Sequence, residues 1–106
     1  MRLMLDTSRV QFMVSKAAEP KTELGNQRQK TDRETGLPQW TVGLFAMDET
    51  GGEVLRVTVA GDQPKVTQGQ PVTVRDLEAI AWNNNGKSGV AYRASSIVSN
   101  AQPKAA

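Results

Sequence analysis

Gln39-Trp40-Thr41-Val42-Gly43-Leu44-Phe45-Ala46-Met47-Asp48-Glu49-Thr50-Gly51-Gly52-Glu53-Val54-Leu55-Arg56-Val57-Thr58-Val59-Ala60 decides the class of this chain. Two runs with period-2 patterning flank an acidic, glycine-rich break, which is the signature of a β-hairpin. In Gln39 to Met47, Trp40, Val42, Leu44 and Ala46 share one face, and Thr41, Gly43, Phe45 and Met47 share the other. Both faces are largely apolar, so this strand is expected to be central, with Phe45 in the core. Gly43 suits a bulge or a tight bend. Asp48 to Gly52 forms the turn. In Glu53 to Ala60, Leu55, Val57 and Val59 point inward, and Val54, Arg56 and Thr58 point outward.

Upstream, Arg9 to Lys16 alternates Val10, Phe12 and Val14 with Gln11, Met13 and Ser15, a half-buried strand that Leu3 and Leu5 are expected to extend. Downstream, Gly61 to Pro71 has room for a short turn and not for a substantial helix. Val72 and Val74 then hold one phase, and Leu77, Ala79 and Ala81 the other, so a bulge or corner is expected at Arg75-Asp76. Asn83 to Gly89 reads as a seven-residue hairpin tip, and Val90 to Val98 as the last strand, with Val90, Tyr92 and Ala94 on one face. Such a tip makes Trp82 and Val90 near neighbours, with Tyr92 one step along the same face.

The expectation is an all-β, five-stranded OB-type barrel spanning 1–98, with a frayed tail over 99–106. An SH3-like barrel is its structural rival. Ala17 to Leu37 lacks periodicity and reads as an extended basic β-ribbon or loop, with Asp32 to Gly36 as a turn.

The chain has 106 residues and no Cys or His. Disulfides, Cys/His zinc sites, thiol nucleophiles and imidazole-based triads are therefore excluded. Asp48, Glu49 and Glu53 read as solvated turn carboxylates, and Ser95 and Ser96 have no candidate base. The expectation is a non-enzyme without a cofactor. No apolar run is long enough for a bilayer, and Met1 to Ser15 lacks a signal-peptide core, so a cytoplasmic location with no membrane partner is expected.

Binding chemistry is better represented. The formal charge is only +2, but the residues from Ala79 onward carry Lys87, Arg93 and Lys104 and no acid. Single strands are held by cationic grooves and aromatic stacking platforms. The candidate set is Lys16, Lys21, Arg28, Lys30, Arg33, Trp40, Arg56, Trp82, Lys87, Tyr92 and Arg93. Trp40 suits core packing as well as base stacking, since it shares a face with Val42 and Leu44.

Gly69-Gln70-Pro71-Val72-Thr73-Val74-Arg75-Asp76-Leu77, then Trp82, Asn85-Gly86 and Tyr92-Arg93-Ala94-Ser95-Ser96-Ile97, resembles the C-terminal hairpin of bacterial single-stranded DNA-binding proteins. The overall layout is similar to the filamentous-phage single-stranded DNA-binding protein, with a wing at Lys16 to Gln39. The chain departs from the bacterial pattern in lacking room for a helix in Gly61 to Pro71. It departs from the phage pattern in lacking an aromatic residue within 17–39, Trp40 being the nearest. Asp32 to Pro38 with Val59-Ala60-Gly61 is also similar to small regulatory or replication-associated proteins of actinobacterial integrative and conjugative elements. These resemblances imply a sequence-tolerant single-stranded DNA-binding protein acting in replication or transfer of a mobile element, as a homodimer or higher oligomer. The alternative is a regulatory module that binds a replication protein of the same element.

Overall fold

The computed structural model describes residues 2–23 and 28–100. The chain is all-β among these residues, forming a curled, open half-barrel of eight strands: β1 (Arg2–Met4), β2 (Gln11–Pro20), β3 (Gln39–Asp48), β4 (Gly51–Ala60), β5 (Pro71–Arg75), β6 (Glu78–Asn84), β7 (Lys87–Ala94) and β8 (Ser96–Ser99). Their order in the sheet is β1-β6-β7-β4-β3-β2-β5-β8. All neighbours are antiparallel except β4 and β7, which run parallel over Val57↔Tyr92 to Val59↔Ala94. No helix of the described residues is long and apolar enough to cross a membrane.

The central meander is β2-β3-β4. β3 and β4 pair without interruption from Gln39↔Ala60 to Asp48↔Gly51, leaving Glu49-Thr50 as a two-residue tip. Asp48 Oδ1 stabilises that tip by accepting from Thr50 N at 2.8 Å and Thr50 Oγ1 at 2.6 Å. β2 shifts register against β3 between Val14 and Lys16 and again between Lys16 and Glu19. Gly43 lies there, where an added Cβ would meet Ser15 Oγ at 2.7 Å and Lys16 N at 3.2 Å, so the bulged strand passes close against it.

The eight strands arise from the five expected ones by two breaks and one addition. The Val72 to Ala81 run breaks at Asp76, whose φ of 54° turns the chain and swings Leu77 into the core. The run from Val90 breaks at Ser95, whose N–H donates to Arg75 O at 3.0 Å, opposite the first break. Segments 71–84 and 87–99 thus form one long hairpin bent at its middle. Its β5 half joins β2, and its β7 half joins β4. Arg2–Met4 is the addition: Leu3 does not extend β2 but pairs with Ala79 on β6.

The core fills the inside of the curl. It consists of Phe12, Val14, Val42, Leu44, Val57, Val59, Val72, Val74, Leu77, Ala94 and Ile97, with Val66 contributed by the helix-free 61–70 connection. Phe45 is absent from it. β3 is central in the sheet, as its pattern predicts, yet among the described residues no second sheet layer packs on its outer face. The tail begins later than expected: Ser99 belongs to β8, and Asn100 N donates to Pro71 O at 2.9 Å. Residues 101–106, including Lys104, lie outside the described residues, as do Met1 and 24–27.

Candidate nucleic-acid interface

Strand phase sorts the candidate residues onto two faces. The β6-β7 hairpin closes through Asn85-Gly86, both with positive φ (51° and 80°), in the two-residue turn that matches strand twist. The seven-residue tip expected from sequence is therefore replaced by full pairing up to Asn84↔Lys87, and Trp82 lies opposite Gly89. Opposed residues share a face, so Trp82, Gly89, Lys87 and Arg93 face outward. Tyr92 pairs with Ala79 and Val57 and faces inward against the core. The single Trp82–Tyr92 patch does not form.

Trp40 also leaves the candidate platform. It lies in the inner phase of β3, half-buried, and its Nε1 donates to Gly61 O at 2.9 Å, pinning the start of the 61–70 connection.

Phe45, expected in the core, lies on the outer face instead. It occupies the outer phase of β3, between Met13 on β2 and Val54 on β4. Its ring lies over Gly52, where an added Cβ would collide with Cε1. Trp82 repeats the arrangement: its indole lies over Gly89, where an added Cβ would collide with Cζ2. Each glycine gives the ring a bed on the neighbouring strand, the cross-strand pairing known to stabilise glycine in sheets. Trp82 remains 45% exposed.

The ribbon cations stand apart from this aromatic pair along the strands, Lys21 reaching β4 at Thr58, four residues from Val54. Past Pro20, the chain makes two successive reversals, with Thr22 bridged to Gln29 and Thr31 to Pro38. The ribbon is knit to the sheet end by Lys30 N donating to Lys21 O at 2.6 Å, Lys21 N to Gln39 O at 3.0 Å and Gln39 N to Lys30 O at 2.8 Å. This folding brings Lys21 over β4, where its Nζ donates to Thr58 Oγ1 at 3.0 Å. Burial, then the nearby charges of Lys30 and Arg93, push the Lys21 ammonium below its usual pKa. Arg56 is exposed on the same face two residues from Val54. Glu19, Lys21, Arg56, Thr41 and Thr58 line a shallow groove that reaches Val90 and Ala91.

Other cations are engaged or distant. The Arg93 guanidinium forms an ion pair with Asp32, whose residue is only 6% exposed. Glu34 N donates to Asp32 Oδ1 at 3.1 Å, and that bond and Arg93 hold the Asp32 carboxyl below its usual pKa. This pair ties the ribbon to β7 across 61 positions of sequence, and Glu78 stands opposite Arg93 in register. Arg93 thus ties β7 to the ribbon. Lys16 pairs with Glu19 at 3.3 Å. Arg28 and Arg33 are exposed on the ribbon and its second turn. Lys87 is exposed next to the Asn85-Gly86 turn, in the same phase as Trp82. Among the described residues, no group of three or more acidic side chains could hold a metal ion.

No family model, curated protein or solved structure matches the chain.

Proposed function

We propose that the chain binds single-stranded DNA across the outer face of β3 and β4, without catalysis and with little sequence preference. The observation that carries this reading is two ring-over-glycine platforms, Phe45 and Trp82, with Arg56 and Lys87 on the same outer sheet face, and Lys21 and Lys30 on the ribbon at its end. Rings offer a π-face to any base, and cations follow the phosphates, so the combination is tolerant of sequence.

The connectivity supports an OB-type assignment. With 71–84 and 87–99 each counted as one bent strand, the chain has five principal strands. In OB folds, the face of the second and third strands and the loops between strands one and two and between four and five take up oligonucleotides. Here the corresponding places are β3-β4, residues 21–23 and 28–38, and the Asn85-Gly86 turn; Phe45 and Arg56 lie on the first, Lys21 and Lys30 on the second, and Lys87 beside the third. Replication or transfer of a mobile element is the process this binding would serve, in a homodimer or higher oligomer.

The charge test reads phosphate neutralisation directly. Four cations on the track give a log-log salt slope near about −3 for a single strand, and removing two of them in Lys30→Gln/Arg56→Gln reduces it by about 1.4. Both side chains are exposed, so the fold is retained. An unchanged slope would overturn the assignment of these cations.

A further inference from the structure

Four residues form one row across the outer face. Met4, Glu78, Arg93 and Thr58 stand opposite one another in register on β1, β6, β7 and β4, and opposed residues share a face. The Arg93 guanidinium leaves this row to meet Asp32 on the ribbon. Its neighbour Glu78 is left with Oε2 buried and without a hydrogen-bond partner. A buried carboxylate oxygen with no donor is costly, and a guanidinium has donors to spare for it.

Asp32, Glu78 and Arg93 line one pocket of about 230 Å³, and Arg93 is the basic residue in that lining. The third carboxylate there, Asp76, already accepts from Ser95 Oγ at 2.8 Å. Two carboxylates thus flank one guanidinium, which serves Asp32 and not Glu78. The two positions are closely matched in what they satisfy. At Asp32 the guanidinium pairs with a nearly buried carboxylate whose other oxygen accepts from Glu34 N. At Glu78 it would satisfy the orphaned oxygen, and Asp32 would keep its bond to Glu34 N. The swing also has a push behind it. Burial, then the charges of Lys30 and Arg93, disfavour the Lys21 ammonium over Thr58, and a guanidinium drawn towards Glu78 moves to the side of β7 away from it.

We propose that Arg93 is a two-position latch that exchanges between Asp32 on the ribbon and Glu78 on β6, and so ties and releases the second reversal of the ribbon, residues 31–38. The ion pair to Asp32 holds this reversal against β7, and Lys30 sits at its base, so one guanidinium sets where that cation stands. The latch belongs to the free protein and does not rest on the DNA reading.

Amide hydrogen exchange of the free protein, read by NMR at Lys30 and Gly36, tests it. These N–H groups donate to Lys21 O and Asp32 O within the ribbon, and Val57 in the core of β4 is the reference for global opening. Asp32→Asn removes the charge that holds the tied position, while the asparagine oxygen still accepts from Glu34 N. Protection at Lys30 and Gly36 is expected to fall about tenfold relative to Val57. Glu78→Gln removes the competing charge and leaves the guanidinium with Asp32, so protection at the same amides is expected to rise about threefold. Glu78→Leu, which removes the buried acceptor altogether, is expected to repeat the rise. The opposite signs separate a latch from a static contact, whose loss on either side only lowers protection. Lower or unchanged protection in both Glu78 variants, or unchanged protection in Asp32→Asn, would overturn the proposal.

Discussion

Trp82→Leu is expected to weaken oligo-dT binding by about 5- to 150-fold, the equivalent of one lost base stack at 1–3 kcal/mol. Phe45→Leu is expected to lose a comparable factor. Leucine keeps an apolar side chain over Gly89 or Gly52, so the sheet retains its cover while the π-face disappears. The two rings serve different bases, separated by β4 and β7, so the losses should combine nearly additively in the double variant. Anisotropy of a labelled oligo-dT measures all three, with circular dichroism as the control for folding. Wild-type affinity in Phe45→Leu would remove Phe45 from the interface and leave Trp82 as its one platform.

Leu44→Ala carries the largest expected effect on stability. Leu44 is fully buried, in the inner phase of the central strand, packed among the valines of β2, β3 and β4. Deleting a buried leucine side chain costs about 2–5 kcal/mol in lost transfer energy and residual cavity. A domain of this size has a total stability on the order of 5–15 kcal/mol, so the urea midpoint should fall substantially. Val54→Ala is the companion measurement. Val54 is in the same hairpin but 69% exposed on the outer face, and its loss should shift stability by no more than about 0.5 kcal/mol. Equal effects at the two positions would contradict a core confined to the inside of the curl.

Much of this fold is legible in residue order, because strand pairs built on short turns encode their own register. The β3-β4 hairpin follows from its alternation and its Asp/Gly turn, and the Arg75-Asp76 corner from the phase change on either side of it. The break at Ser95 has a matching signal, since Ala94 and Ile97 are both buried but out of phase for one strand. The Asn85-Gly86 pair likewise marks a two-residue turn. A longer tip at this point displaces Trp82 by one position and moves it to the other face, as any single-residue slip does.

The site is less legible, for two physical reasons. Phase tells which residues share a face but not which face a second layer covers, so Phe45 reads as core from its apolar neighbours. Contacts across long sequence separation have no local signal. The Arg93–Asp32 pair links β7 to a turn in the ribbon, and nothing near either residue announces the other. The same folding of the ribbon brings Lys21 over β4 beside Arg56.

Chemical-shift mapping of backbone amides during titration with oligo-dT tests the central claim most directly. The outer-face account predicts perturbations concentrated at Thr41, Phe45, Arg56, Thr58, Trp82 and Gly89, together with Lys21 and Lys30. Perturbations concentrated instead at Asp6, Asp48, Glu53 and Leu55, or none at saturating oligonucleotide, would contradict it.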